Sequence, residues 1–571
     1  MSEPLGRRYV IPIILRRMRT PMIVLISAYA VAVLGYTLMP GVDADGNPWR
    51  MSLFEAFYVV SFTGSTIGFG EVPHSYTNAQ RLWATATIYM TVFSWLYAVG
   101  TIISLLQDPE FRSAITRSRL QRSLRGIREP FYLICGYGDS GRLLARALLG
   151  RGHLIVIIDK DPGNVEVLRS QDAGVHVPVF CMDAEVPENL LDAGLRHDCC
   201  IGVLAVTDSD HTNLKIAITT KLLNRDILVF CRTETQATAD NMLSFGTDLV
   251  VNPYEEFARR LLMGMQEPDT HRVYDWLTSL PDIRLPDRPE PPQGRWIICG
   301  FGAFGQAVYR VLREAGLPVV VVAEDVAACP PGSIKGKGTE AVTLRQAGIL
   351  EAEALVAGTD DDADNLSIMV TARQLNRNVY MVSLENRLYN RALFQAARPA
   401  LPVQTSYLIA SRFLSVLSAG MLRPFLDRAA GQGNEWNRAL AVRIQEASGE
   451  VTPDCWHTRI TGAQTPALLL SLTLGEPVLL GHLCRDPRKR RHPLPVVPLM
   501  LRRAGEDHLL PALDMPLMPG DELLWCGTGK GRGLLNLIVR HRNALTYVRT
   551  GEQRSDGWVW RWITRRRGRQ G

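Results

Sequence analysis

The stretch Thr66-Ile67-Gly68-Phe69-Gly70-Glu71 offers backbone chemistry more than side-chain chemistry. Two glycines one residue apart allow angles that a Cβ disfavours, so successive carbonyl oxygens can turn toward one axis. With the Thr66 hydroxyl, the carbonyls of Thr66, Ile67, Gly68, Phe69 and Gly70 form a ladder able to replace the hydration shell of a dehydrated cation. The neighbouring Glu71 adds a carboxylate on a long arm.

Two other strings suit an anion. Gly136-Tyr137-Gly138-Asp139-Ser140-Gly141 and Gly300-Phe301-Gly302-Ala303-Phe304-Gly305 both read G-x-G-x-x-G, with their first glycines 164 residues apart. Each follows a short apolar strand, Phe131 to Cys135 or Trp296 to Cys299, and opens a helical pattern. In such a loop the first glycine makes the turn, the second lets a phosphate approach, and the third lets helix and strand pack. Amides at the helix start then bind the anion. A second strand ends at an acid about twenty residues on, at Asp159 in copy one and Glu324 in copy two. These carboxylates are expected to accept hydrogen bonds from ribose hydroxyls and to repel a 2′-phosphate. Lys160 beside Asp159 weakens that discrimination, whereas Asp325 beside Glu324 strengthens it. The repeat continues: Val203 to Thr207 leads into Asp208 to Leu214, as Ala354 to Thr359 leads into Asp360 to Leu366, and Leu228 to Cys231 matches Val379 to Val382. One such string is weak, but two in repeated strand–helix–strand units point to a dinucleotide-type α/β fold.

The elements around the first string belong to a membrane. Pro21 to Met39 and Leu82 to Leu106 are runs of 19 and 25 residues without a charge, long enough for a hydrocarbon core of about 30 Å at about 1.5 Å per residue. Leu53 to Thr63 is apolar but too short to span, as a re-entrant helix would be. Non-helical backbone persists at membrane depth only where it lines water or is buried in protein. Arg7, Arg8, Arg16, Arg17 and Arg19 precede the first span, and Arg112, Arg117, Arg119, Arg122 and Arg125 follow the second. The connection carries only Arg50 and Arg81 beside four acids. This bias predicts both termini on the cytoplasmic side of the inner (plasma) membrane. The first span is long and lacks a small-residue cleavage site, so it reads as retained.

A net charge of +6 over 571 residues is modest, and no nucleic-acid-reading pattern accompanies it. The ten cysteines show neither C-x-x-C nor zinc spacing, which suits reduced core thiols. There is no periodic arginine helix, so no voltage sensor is expected. Glu255 to Gln266 carries an apolar stripe of Phe257, Leu261, Leu262 and Met265, a packing face. Pro281 to Pro292 reads as a linker, Asn437 to Gly533 as β-rich, and Arg485 to Arg491 as a solvated basic run. The tail mixes Trp558, Trp560 and Trp562 with arginines, suiting disorder or a lipid surface.

The first string, T-I-G-F-G-E, resembles the T-V-G-Y-G-D selectivity filter of potassium channels, and its flanks resemble the two-span pore module of that family. Phe69 lacks the tyrosine hydroxyl that would brace the filter from behind. The two repeats resemble regulator-of-conductance (RCK) domains, also found in Trk-type accessory subunits of potassium transporters. Copy one shows Asp183 after its third strand, as in the family's G-D-A turn, with Met182 in place of the glycine; copy two has Gly338-Thr339-Glu340 there, without the aspartate.

The resemblance implies a pore helical in the membrane, two α/β Rossmann-like regulatory domains and a β-rich C-terminal lobe. The expected segments are 1–20 (cytoplasmic), 21–107 (pore), 108–128 (linker), 129–292 (first RCK domain), 293–545 (second RCK domain with C-terminal lobe) and 546–571 (basic aromatic tail). It further implies a homotetramer that conducts K+ and is gated by an adenine nucleotide such as NAD, ADP or AMP, with Ca2+ a further candidate regulator. The nucleotide residues it implies are Gly136, Gly138, Asp139, Ser140, Gly141, Asp159, Lys160, Asp183 and Thr207, then Gly300, Gly302, Phe304, Gly305 and Glu324. A membrane-anchored NAD-dependent oxidoreductase or a transporter's regulatory subunit is the alternative, but neither explains both strings.

Overall fold

The computed structural model describes residues 5–170, 177–284, 289–418 and 420–552. The Trp558–Arg567 tail and part of the proline-rich linker lie outside them. The chain divides into two compact units, 1–128 and 129–571.

The first unit opens with α1 (Leu5–Leu38), followed by a two-residue strand pair, β1 (Gly41–Val42) and β2 (Pro48–Trp49). Then come α2 (Leu53–Gly64), α3 (Asn78–Gln107) and α4 (Pro109–Arg125). Segments Ile14–Leu38 and Asn78–Gln107 are long and apolar enough to cross a membrane. The two spans pack through small residues, with Ala28 and Ala32 buried on α1 and Thr87, Thr91, Ser94 and Ala98 on α3. Small side chains let backbones approach where lipid offers no hydrophobic drive. The hydroxyls of Thr91 and Ser94 donate to their own helix carbonyls, at 2.7 and 2.6 Å. Most other large side chains on both helices are exposed, as a lipid- or partner-facing surface requires.

In the second unit, copy one comprises β3 (Phe131–Cys135), α5 (Asp139–Gly150), β4 (Leu154–Asp159), α6 (Pro162–Ser170), β5 (Val179–Cys181), α7 (Pro187–Asp192) and β6 (Cys200–Ala205). It continues through α8 (Asp210–Leu223), β7 (Leu228–Arg232), α9 (Gln236–Ser244), β8 (Leu249–Val251), α10 (Pro253–Gln266) and α11 (Pro268–Thr278). Copy two comprises β9 (Trp296–Cys299), α12 (Ala303–Glu314), β10 (Val319–Ala323), β11 (Ile334–Lys335), α13 (Ala341–Gln346), β12 (Ala354–Ala357), α14 (Asp362–Leu375) and β13 (Tyr380–Glu385). A 3-10 turn (Leu388–Asn390), α15 (Arg391–Ala397), β14 (Leu401–Gln404) and α16 (Thr405–Ser418) close it. The sheets run β5-β4-β3-β6-β7-β8 and β11-β10-β9-β12-β13-β14, all parallel. Each is a doubly wound sheet whose order reverses beside its glycine loop.

The copies exchange their closing helices. On α10, Tyr254 and Phe257 pack on Phe304 of α12, with ring centroids 5.9 and 5.4 Å apart. Reciprocally, Ile409, Phe413 and Leu414 of α16 share a core with Leu144 and Leu148 of α5. The apolar stripe on α10 is therefore a packing face, and its partner is the second copy in the same chain.

After α17 (Leu422–Ala430) and α18 (Asn434–Ser448), the C-terminal lobe holds β15 (Asp454–Arg459), α19 (Pro466–Thr473), α20 (Leu480–Leu483), β16 (Val496–Arg503), β17 (Glu506–Leu509) and β18 (Glu522–Gly527), then α21 (Gly529–Arg540) and α22 (Arg542–Thr550). Its sheet is antiparallel, in the order β15-β18-β16-β17. Residues 437–448, expected to be β-rich, are helical because Leu440, Ala441 and Ile444 cover one sheet face. The expected tail also begins later, since 546–550 form the end of α22. Two arginines of the basic run are structural: Arg485 and Arg490 donate to the Val548 carbonyl at 3.2 and 3.1 Å, capping α22. Among the described residues no disulfide joins two cysteines.

Candidate functional site: a carbonyl ladder and two glycine cradles

The ladder is held by α2. Ser52 and Glu55 form a capping box at its start. Its C-terminus, the negative end of the helix dipole, leads straight into Ser65 and Thr66. That end is anchored to both spans: the Trp95 indole donates to the Tyr29 hydroxyl at 2.9 Å, and a Cβ on Gly64 would lie 2.4 Å from that same oxygen. The amide of Thr66 then donates to Thr63 O at 3.1 Å, and those of Ile67 and Gly68 to Phe62 O at 3.0 and 3.4 Å. Among the described residues, the carbonyl oxygens of Thr66 to Gly70 accept no hydrogen bond. Positive φ recurs at alternate residues, 62° at Thr66, 66° at Gly68 and 90° at Gly70. Such alternation turns successive carbonyls to one side, and the whole string is exposed within one chain.

Phe69 is braced despite its missing hydroxyl. Its ring stacks on Tyr58 at 6.3 Å and meets Phe62 edge-on at 5.5 Å, both on α2. Glu71 is tied back by Arg81, whose Nε lies 2.9 Å away, and by the Tyr76 amide at 2.8 Å. These donors hold its carboxyl below the usual range.

In copy one each glycine has a distinct geometric reason. Gly136 turns at φ 99°, where a Cβ would lie 3.0 Å from the Thr207 amide nitrogen. A Cβ on Gly141 would fall 2.1 Å from Gly136 O, whereas Gly138 faces open space. Gly138 stands at the N-cap of α5, with Asp139 and buried Ser140 in the first turn. Open space beside the amides of a helix start is the geometry that a phosphate requires. Asp159 ends β4, buried, and faces the loop: it accepts from the amides of Tyr137 and Asp161 (the latter at 2.7 Å) and stands 3.5 Å from Asn164 Nδ2. Thr207 lies against Gly136 beyond the end of β6, Asp183 follows β5, and Lys160 is exposed just after β4. Asp139 has another partner, accepting from Leu388 N of copy two at 3.2 Å.

Several residues here escaped sequence reasoning. Arg142 bonds Asn164 Oδ1 at 2.7 Å and Tyr137 O at 3.3 Å, placing a cation beside the glycine loop. Fully buried Asn213 accepts from the Thr207 amide and hydroxyl and donates to Thr207 O and Arg232 O, stapling β6 to β7. Asn365 does the same for Thr359 and Leu384 in copy two. The signal was the recurrence of Asn213-Leu214 at Asn365-Leu366.

Copy two keeps the turn but changes the chemistry. Gly300 has φ 94°, and a Cβ on Gly305 would fall 2.1 Å from Gly300 O. Cys135 pairs with Ile158 and Cys299 with Val322, so Asp159 corresponds to Ala323 and Lys160 to Glu324. Glu324 therefore lies one residue beyond the expected register, with its side chain 70% exposed beside Lys337. Phe304 stands in the first turn of α12, as Ser140 does in α5, but its ring is buried in the α10–α12 core. The expectation of stronger ribose discrimination in copy two thus loses its geometry.

Two other places matter less. Among the described residues no group of three or more His, Cys, Asp or Glu side chains could hold a metal ion. A cleft of about 1120 Å³ lies between the copies, lined by Arg260, Trp276, Glu385 and Arg391 among others, but by no glycine-loop residue.

Two helices apolar enough to span a membrane flank the carbonyl ladder, and paired Rossmann-type sheets follow them. Residues 22–108 match the ion channel family, and residues 132–253 and 296–398 match the TrkA-N domain. The chain thus joins an ion-channel match to two TrkA-N matches, and it is homologous to archaeal and bacterial potassium channels. It is 26% identical over 202 residues to "Potassium channel protein 1" of Methanocaldococcus jannaschii, covering 35% of this chain and 59% of that one. It is 23% identical over 222 residues to the "Voltage-gated potassium channel Kch" of Escherichia coli, covering 38% and 51%. The chain thus spans less than two thirds of either relative. Among solved structures, "GsuK channel bound to NAD" aligns over 93% of this chain and 99% of that one, at 16% identity and TM-score 0.42.

Proposed function

We propose that four copies of this chain surround one axis and conduct K+ selectively through Thr66, Ile67, Gly68, Phe69 and Gly70. An adenine nucleotide with a free ribose 2′-hydroxyl, such as NAD, ADP or AMP, sets the gate from copy one. The observation that carries the pore reading is the ladder itself: amides at its base are tied to α2, while its carbonyls accept nothing. One strand of carbonyls cannot ring an ion, so several chains must converge. The arginines flanking the spans favour cytoplasmic termini in the inner membrane.

Copy one supports the nucleotide reading through the open face of Gly138 and the carboxylate of Asp159. A bound nucleotide supplies phosphate charge and ribose hydroxyls. The α5 amides and Arg142 would hold the phosphate, and Asp159 would exchange a backbone partner for a hydroxyl. Asp139, in the first turn of α5, accepts from Leu388 of copy two. An anion arriving there repels that carboxylate, so ligand entry competes with a contact between the copies. The open sides of the cradle thereby link occupancy to lobe position.

Potassium and sodium uptake into proteoliposomes tests this, with NAD, ADP, AMP, NADP and Ca2+ added one at a time. Selective potassium flux altered by NAD, ADP or AMP, and not by NADP, is expected. Turnover of NADH without ion flux would instead favour a membrane-anchored oxidoreductase.

A further inference from the structure

We infer that only the first copy takes the nucleotide, because the second copy fills its own phosphate cradle with the carboxylate of Asp360. This rests on the nucleotide reading of copy one and assigns its stoichiometry: one ligand per chain, although the chain carries two glycine loops.

The strongest observation is steric. Gly138 and Gly302 are equivalent N-caps, since Arg142 N bonds Gly138 O as Gln306 N bonds Gly302 O. Nothing lies within 4 Å of a Cβ built on Gly138. On Gly302 the same position has Asp360 Oδ1 at 3.8 Å and Oδ2 at 4.0 Å. The second glycine's missing Cβ is the space through which a pyrophosphate approaches. In copy two an anionic side chain of the protein already stands there. Asp208, the register equivalent of Asp360, does not reach its own cradle.

Three exchanges at matched positions point the same way. The ribose-facing acid Asp159 becomes Ala323, as Met182 N on Asp159 O and Gly336 N on Ala323 O confirm. By the same register Lys337 takes the place of Asp183, two residues before the position expected from Gly338-Thr339-Glu340, and it is held by Asp364 at 3.2 Å and Glu324 at 3.7 Å. The cation Arg142 is replaced by neutral Gln306, which donates to Phe301 O at 3.1 Å. At the matched positions, copy two therefore lacks the buried strand-end carboxylate of copy one, and its cation Lys337 is already paired. A phosphate there would meet Asp360, while Lys337 is engaged by Asp364 and Glu324, and like charges at such range repel.

Calorimetric titration of ADP into the full chain in detergent micelles tests the inference. One ADP per chain is expected, with Gly138→Ala weakening it roughly tenfold or more through the blocked cradle. Gly302→Ala, whose new methyl makes only ordinary contact with Asp360, is expected to leave affinity and stoichiometry unchanged. Two ADP per chain, binding that survives Gly138→Ala unaltered, or binding lost in Gly302→Ala would each overturn the inference. No binding to the wild-type chain would instead remove the nucleotide reading beneath it. Melting temperatures of both variants separate these outcomes from misfolding, and Asp159→Ala offers a second way to impair copy one alone.

Discussion

Gly70 has nothing within 4 Å of a would-be Cβ, yet its φ is 90°. An alanine there meets no clash; it meets a backbone conformation that costs an L-residue roughly 1–2 kcal/mol. Relieving that strain by rotating the peptide would turn a carbonyl away from the proposed pore axis. Gly70→Ala is expected to assemble normally but to lose discrimination between potassium and sodium, measured by paired flux assays; unchanged selectivity removes the filter assignment. Asp159 tests the other site at the same scale. Its loss removes a hydroxyl acceptor, so Asp159→Ala should weaken NAD binding by about 1–3 kcal/mol and narrow the preference over NADP. Calorimetry showing NADP bound as tightly as NAD by the wild type would contradict this. Both residues stood out because glycine spacing and strand-end acids leave marks in a sequence. Arg142 and Asn213 did not, since their roles depend on partners, Asn164 and Arg232, about twenty residues away.

Helix packing decides how these residues are presented. A methyl on Gly64 would sit 2.4 Å from the Tyr29 hydroxyl, so Gly64→Val must displace either α2 or the Tyr29–Trp95 pair. Overpacking of this kind typically costs 1–3 kcal/mol, and a lower melting temperature of the assembled pore is expected. On α10, Glu256 is buried, which disfavours its charge, but Arg260 and Arg259 outweigh that and hold it at about 2. A carboxyl lowered in the fold contributes stability above its unfolded value near 4.5 and loses it as pH falls toward 2. The α10–α11 corner should therefore hold at neutral pH and loosen across that acid window. Glu256→Gln, which leaves buried Arg260 with Asp275 as its remaining acid, should cost roughly 1–3 kcal/mol and flatten the acid transition, as thermal melts can show. Element type was readable from apolar runs and the repeat; register was not. Asp159 lies 23 residues past its first glycine and Glu324 lies 24 past its own, a difference that only strand pairing resolves. Helix α18 was likewise misread, because its apolar residues serve a sheet that is distant in the chain.

Across the whole molecule, one unit supplies a carbonyl ladder and the other supplies paired sheets that have diverged. The duplication was legible in the sequence; its asymmetry was not, because Asp360 and Lys337 gain meaning only when the copies are superimposed strand by strand. Copy one keeps an open cradle, while copy two keeps the fold and reaches copy one through Leu388. Potassium selectivity is the claim on which the rest depends, and a reversal potential measures it without reference to rate or gating. Purified protein in a planar bilayer, with potassium on one side and sodium on the other, should reverse far toward the potassium equilibrium potential. A reversal near zero, or currents carried equally by both cations, would contradict the account.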